Sequence, residues 1–407
     1  MKKNIYSYII LALALFSCSK EPPVNVDVPD PGQYANVYMP RAVVNNPYTT
    51  GLPLADTTYA FSYNAYLGGI SPAASDLAIQ FEVKPALVDS FNERYNTDYA
   101  PLPGGSYQFE QHAVIPRGQR STATLSLHIR TSDVEPFRSY MLPLGVTAAG
   151  GQPISNINGT TYYIFTRSYV AAIEPRQKVL SLGPVLDWAN KDRIILARGR
   201  QNTLVARHKN NDLNLYSPKA DGSFDPVPKV IGVDWNASES WYYINETDIV
   251  VRNYPYWAGL FYFKWEPDLT MHQASPVWEE WWLGDFWDKY ATIIPFKNYF
   301  LLVEKSSGNL LRQPLLSRVD APKTTVGADF GNYRQVMAWQ GYLLALGFDG
   351  NLWLYKMSEE AVPGDRILVG TGWNMYERLT VIDKDILALD ANGDLYRYKF
   401  DPARYIE

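Results

Sequence analysis

Five times between residues 183 and 370 the chain sets a glycine ahead of the same run of features, and that repeat limits the fold more than anything else in the sequence. The glycines stand at 183, 232, 284, 327 and 370, at intervals of 49, 52, 43 and 43 residues. In the last copy Val369-Gly370-Thr371-Gly372-Trp373-Asn374-Met375-Tyr376 leads into Leu379 to Ile382, then Ile386 to Leu389, a turn at Asp390-Ala391-Asn392-Gly393, and Leu395 to Tyr398. The order recurs from Val326-Gly327-Ala328-Asp329-Phe330, from Leu283-Gly284-Asp285-Phe286-Trp287 and from Ile231-Gly232-Val233-Asp234-Trp235, and more loosely from Leu182-Gly183 with Trp188. Each interval has room for four short strands, and all-β repeats of roughly 40 to 50 residues are propeller blades. The expectation for residues 175–407 is therefore a five-bladed β-propeller.

Residues 34–167 read differently. Short runs such as Tyr59 to Tyr63, Leu77 to Val83, Thr122 to Ile129 and Tyr140 to Val146 alternate apolar with polar side chains, the pattern of half-buried strands in a sandwich. One helix interrupts them, with Leu87, Val88, Phe91 and Tyr95 at helical spacing after Pro85. The whole chain is expected to be all-β, a β-sandwich followed by a propeller.

The N-terminus carries its own signal. Lys2 and Lys3 precede an apolar stretch from Ile9 to Phe16, too short to span a bilayer but suited to a signal peptide. Leu15-Phe16-Ser17-Cys18 has the form of a bacterial lipobox, so residues 1–18 are expected to end at a lipidated Cys18 and residues 19–33, rich in proline, to serve as a tether. The other reading is an incidental cysteine in an ordinary signal peptide. Cys18 is the only cysteine, which excludes intramolecular disulfides and any cysteine-based zinc site.

A net charge of -5 without a basic run removes the electrostatic footprint of a nucleic-acid binder. The four histidines show no pair at metal-ligand spacing, and no Gly-x-Ser-x-Gly elbow occurs. No catalytic residue, metal or cofactor is expected. Adjacent Glu279 and Glu280 invite a glycosidase reading, but neighbours on one strand point to opposite faces.

Several stretches resemble known families. Val37-Tyr38-Met39-Pro40, Phe81-Glu82-Val83 running into Pro85 to Asn92, Leu102 to Tyr107, Ile115-Pro116-Arg117-Gly118 and Tyr140 to Leu144 resemble the immunoglobulin-like domain that opens many Bacteroidetes surface lipoproteins and some chitinase-like endoglycosidases. That resemblance implies an outer-membrane lipoprotein facing the cell exterior within a glycan-utilisation system, beside an outer-membrane transporter. Ser19-Lys20-Glu21 is similar to the charged signal that exports such lipoproteins, and the acidic strand motif of the chitinase-like enzymes is absent. Gly-x-Gly-Trp loops and Gly-x-Leu-Tyr strands resemble the tachylectin family, which implies a glycan ligand containing N-acetylhexosamine at Gly370, Gly372 and Trp373. In the other copies the second glycine is replaced by Asp234, Phe286 or Asp329, so five equivalent sites are not expected.

Aromatics that recur in every copy pack blade against blade more often than they bind. Those without counterparts are more telling: Tyr254, Tyr256 and Trp257, then Trp278, Trp281 and Trp282. A glycan site needs an apolar platform beside fixed polar groups, and Val277 to Asp285 supplies both, with Trp278, Glu279, Trp281 and Asp285 as the candidates. The function expected is non-catalytic capture of a glycan. The alternatives are a propeller scaffold for protein partners and an unmarked glycoside hydrolase.

Overall fold

The computed structural model describes residues 35–43, 46–253, 258–273, 275 and 278–406. The expected signal peptide, Cys18 and nearly all of the tether region lie outside them. Among the described residues no helix is long and apolar enough to cross a membrane.

Among the described residues the chain is all-β apart from two short α-helices and short 3-10 stretches. The first part packs two sheets face to face. One runs in the order Tyr48–Leu52, Thr160–Arg167, Ser139–Ala149, Leu77–Val83, His112–Ile115, and the other Thr58–Tyr63, Leu125–Arg130, Tyr107–Phe109. Leu77, Ile79 and Phe81 point inward from one sheet and Leu125, Leu127 and Ile129 from the other, as the alternation requires. The helix Ala86–Tyr95 lays Val88 and Phe91 on Met141 and Ile164, so the strand Ser139–Ala149 is buried on both faces along most of its length.

The second part is five four-stranded antiparallel meanders. Blade 1 is Leu196–Arg198, Leu204–Arg207, Leu213–Tyr216 and Lys229–Gly232; blade 2 is Ser238–Tyr243, Asp248–Asn253, Leu260–Trp265 and Met271–Gln273. Blade 3 is Tyr290–Phe296, Tyr299–Glu304, Leu310–Pro314 and Thr324–Gly327; blade 4 is Tyr333–Trp339, Tyr342–Gly347, Leu352–Met357 and Pro363–Thr371. Blade 5 takes Arg378–Ile382, Asp385–Leu389 and Asp394–Tyr398 from the C-terminus and its outer strand, Arg176–Ser181, from the start of the region. The first strands touch in the cyclic order 1-2-3-4-5-1. A closed ring of such meanders has the connectivity of a five-bladed β-propeller. Second strands such as Ile386-Leu387-Ala388-Leu389 are apolar without alternation because a neighbouring blade covers each face.

The recurring turn now has a physical reason. Asp234, Phe286, Asp329 and Gly372 all take left-handed backbone, with φ of 58°, 64°, 64° and 74°. The aromatic after each begins a 3-10 turn, and its N–H donates to a carbonyl in the previous blade's second turn: Trp235 to Asn211, Trp287 to Ala258 and Trp373 to Gly350. The marker glycine makes room for that ring, since a Cβ at Gly370 would lie 2.4 Å from Trp373 Nε1. Guanidinium groups then tie one blade to the next. Arg207 donates to the Ser238 carbonyl, Arg252 to those of Trp287 and Tyr290, Arg334 to those of Tyr376 and Glu377, and Arg378 to those of Lys191 and Asp192. Burial, with Arg193 nearby, depresses the Arg207 pKa. Burial acts the same way on Arg252, but Tyr242 and Glu239 outweigh it and hold its pKa up.

The segment between the two parts is a short strand followed by a turn closed on Val170. Tyr169 and Val170 pair in parallel with Gly370 and Thr371 and add a fifth strand to blade 4.

Candidate functional site

With the repeat as a baseline, blade 2 departs from it twice. In blades 1, 4 and 5 a residue at or just past the end of the second strand bonds to a carbonyl four residues on, His208 to Asp212, Gly347 to Asn351 and Asp390 to Asp394. In blade 2 Asn253 bonds to Gly259, six residues on, and the enlarged turn spans Tyr254, Tyr256 and Trp257, which lie outside the described residues. The second departure is in the outer strand. Gln273 pairs with Phe263 while Trp282 bridges Phe261, so two steps along the third strand correspond to nine along the outer chain. The surplus forms the helical turn Trp278–Trp281.

Backbone hydrogen bonds bring the two insertions together. Leu260 N–H donates to the Gly284 carbonyl at 3.0 Å, Leu283 N–H to Leu260 at 2.8 Å and Trp287 N–H to Ala258 at 3.1 Å. Residues 258–260, where the enlarged turn ends, and residues 283–287, where the second insertion ends, therefore meet at one point of one blade. Ala258 and Phe286, one in each segment, hold φ of 45° and 64°. Left-handed backbone strains residues with a Cβ, a bulky aromatic above all, and such strain clusters at functional sites.

Through blade 2 runs a row of rings. Trp265, Trp241, Trp235, Phe263, Trp281 and Phe261 follow one another with centroids 5.3 to 6.1 Å apart. Trp281, proposed from the sequence as a ligand platform, is only 9% exposed and packs on Phe261 and Phe263, so it supports the shelf rather than presenting a face. Trp282 is half-buried. Its indole N–H donates to Asp285 Oδ1 at 3.2 Å, and the exposed Arg318 guanidinium lies 4.6 Å from its ring centroid. Phe286 stands 59% exposed at the edge. An aromatic ring with a carboxylate and a guanidinium beside it offers what a sugar needs, a flat face for C–H groups and fixed partners for hydroxyls.

Two sequence expectations change. Trp278, Glu279, Glu280 and Trp281 lie on a helical turn rather than a blade strand, so strand alternation does not govern the two glutamates; Glu280 accepts from the Ser275 hydroxyl. The side chains of Trp278 and Glu279 lie outside the described residues. Trp373, carried over as a binding residue, is wholly buried, with its N–H on the Tyr169 carbonyl at 2.9 Å and its ring 4.8 Å from that of Tyr398. It cannot stack on a ligand, and Gly370 is there to fit it, which leaves Gly372 as the exposed member of that loop. Sequence reasoning passed over Phe286 and Arg318. Phe286 could have been found as the one aromatic among glycine and aspartates at its position; nothing local marks Arg318, which comes from another blade.

Two other concavities also carry aromatic rings beside polar groups, among them Trp241 and Tyr333 in the first and Tyr107 and Phe109 in the second. A cavity of about 570 Å³ runs between the first strands of all five blades and is lined by Ser240, Thr292, Gln335 and Thr380 among others. One of about 620 Å³ lies on the sandwich's smaller sheet, along Ser126, His128 and Arg130. Among the described residues no group of three or more His, Cys, Asp or Glu is placed to hold a metal ion.

Comparison with known proteins adds the following. Residues 33–153 match a family model described as "-like, N-terminal domain". That match spans less than half of the chain. No curated protein matches it. Among solved structures, a Bacteroides ovatus protein provisionally described as carbohydrate binding is 13% identical, with 83% of this chain and 97% of that one covered and a TM-score of 0.28. A multidomain Bacteroides ovatus protein including DUF1735 is 11% identical over 83% and 93%, with a TM-score of 0.29. The Bacteroides thetaiotaomicron enzyme EndoBT-3987, solved with a Man5GlcNAc product, is 13% identical over 43% and 46%, with a TM-score of 0.28. At these scores the likenesses carry no argument about what this chain does.

Proposed function

We propose that the chain is a non-catalytic glycan-binding protein, anchored through Cys18 to the outer surface of an outer membrane, where it captures oligosaccharide for a neighbouring transporter. The observation that carries the binding reading is the helical insertion Trp278–Trp281 in blade 2, tied by backbone hydrogen bonds to Ala258 and Leu260 at the end of the enlarged turn, beside a continuous row of rings. A scaffold needs none of this, because the other four blades close the ring without it. The tachylectin-like reading narrows the ligand to glycans with N-acetylated hexosamines. That resemblance alone would put the site on the Gly370 loop, and the burial of Trp373 favours blade 2 instead.

A glycan array probed with soluble chain lacking residues 1–18 tests the proposal, followed by isothermal titration of the best hit. Binding that weakens in Trp282→Ala supports it; an array without hits, or a hit indifferent to every blade 2 substitution, overturns it. One observation favours a second reading. Val233, Phe286, Phe348 and Met375 are exposed apolar side chains in turns on the same face of the ring, 66%, 59%, 69% and 43% exposed, and such a face suits a polypeptide partner. Copurification with a transporter that survives loss of glycan binding would favour that scaffold role.

A further inference from the structure

A hinge between two bodies needs a few residues whose φ and ψ can change. Between the sandwich and the ring most residues already have an assignment. Ser168 N–H donates to the Leu52 carbonyl at 2.8 Å inside the sandwich. Tyr169 and Val170 are already in blade 4's sheet, and Ala171 N–H bonds to the Thr371 carbonyl at 3.0 Å. Ile173 and Glu174 N–H groups close a turn on Val170, and Arg176 begins the outer strand of blade 5. Side chains seal the same segment from the ring side. Trp373 Nε1 and the Tyr398 hydroxyl donate to the Tyr169 and Ala171 carbonyls at 2.9 and 2.7 Å.

The sandwich reaches across as well. Phe137 lies 6.0 Å from the Tyr169 ring and 5.7 Å from that of Tyr405. Gly51, in a sandwich strand, sits so close to blade 4 that a Cβ there would be 2.1 Å from Thr371 Oγ1 and 3.0 Å from Val170 Cγ2. All these contacts fall on blades 4 and 5. In a closed ring of five, the blade opposite the boundary between 4 and 5 is blade 2.

We infer that the sandwich and the ring form one rigid body, in which residues 168–175 are a hydrogen-bonded strand and turn rather than a hinge and the sandwich is a stand holding blade 2 on the far side of the ring. The orienting role rests on the blade 2 site proposed above; the rigidity does not.

The two halves can be watched separately, because all twelve tryptophans lie between residues 188 and 373, in the ring. In soluble chain lacking residues 1–18, tryptophan fluorescence reports the ring, and a dye on Gln111→Cys, at an exposed sandwich position, reports the sandwich. Both probes should melt at one temperature, and protease should leave 168–175 uncut while they do not melt. Gly51→Val should pull the two transitions apart by several degrees. If it does not fold, the milder Gly51→Ala should lower both together. Two separate transitions in the unsubstituted chain, cleavage within 168–175 of the folded protein, or no effect of either Gly51 substitution on the sandwich probe would overturn the inference. A bound glycan should raise both midpoints alike. Raising only the ring's would sink the rigid coupling, whereas the lack of any glycan would sink the site and leave the coupling standing.

Discussion

Blade 5 and blade 2 are copies of one pattern that use their aromatic rings in opposite ways. In blade 5 Trp373, Tyr376 and Tyr398 are almost wholly buried, and their polar tips bond to one another, to Arg176 or to the segment that joins the domains. Burial pushes the Tyr376 phenol well above its usual pKa, and its hydrogen bond with the Tyr398 hydroxyl acts in the same direction. In blade 2 the recurring positions are less filled: Ser238 stands where blade 5 has Tyr376, and Trp235 is half-buried where Trp373 is sealed. The added rings there lie outside the repeat. An aromatic residue in a repeat therefore says little by its type, and whether the scaffold requires it separates packing from binding.

That difference can be broken first in blade 5. Trp373→Ala should cost about 3 to 5 kcal/mol of stability, because a fully buried ring is replaced by a cavity. Chemical denaturation followed by circular dichroism measures it, and glycan affinity of the folded fraction should not change. A loss of affinity with little loss of stability would return Trp373 to the binding site. A smaller effect is expected from Tyr398→Phe, which keeps the ring but leaves the Ala171 carbonyl without its donor. An unsatisfied buried carbonyl costs about 1 to 3 kcal/mol. The same denaturation curve reads it, and a neutral result would mean that water replaces the hydroxyl.

Blade 2 should give the reverse. Trp282→Ala should weaken glycan binding by about 1 to 3 kcal/mol, the range of an aromatic anchor at an interface, with the melting temperature little changed. A shallow site binds at roughly millimolar to micromolar strength, so titration would see almost complete loss. Because display on a membrane can mask a weak site by avidity, the soluble chain is the one to titrate.

The fold was legible in the sequence for a simple reason. Five glycines at near-regular spacing and apolar runs between turns are local signals, and blade connectivity follows from them. The candidate site was legible only in part. That Trp278 to Asp285 and Tyr254 to Trp257 belong to the same place follows from subtracting the repeat, but the helical turn does not, since Val277-Trp278-Glu279-Glu280-Trp281-Trp282 has no periodicity long enough to choose between strand and helix. Trp373 misled because a matched motif names positions and not exposure. Arg318 was invisible because its place beside Trp282 depends on how blade 3 packs on blade 2.

Phe286 offers the smallest effect and the sharpest separation of the two uses. Its counterparts are Asp234, Asp329 and Gly372, all in left-handed backbone, and the same conformation at Phe286 places a Cβ where glycine has none. An L-residue pays about 1 to 2 kcal/mol for that geometry, and glycine repays part of the gain through the freedom it loses on folding. Phe286→Gly should therefore leave the protein equally stable or more so by up to about 1 kcal/mol, although it removes a large apolar side chain. At a strained and 59% exposed position the side chain is open to a ligand, so its removal should show as a several-fold weaker affinity by titration. If Phe286→Gly destabilises the chain by more than about 1 kcal/mol and binds glycan as before, then Phe286 belongs with the packing aromatics of blade 5, and the line between the two blades falls elsewhere.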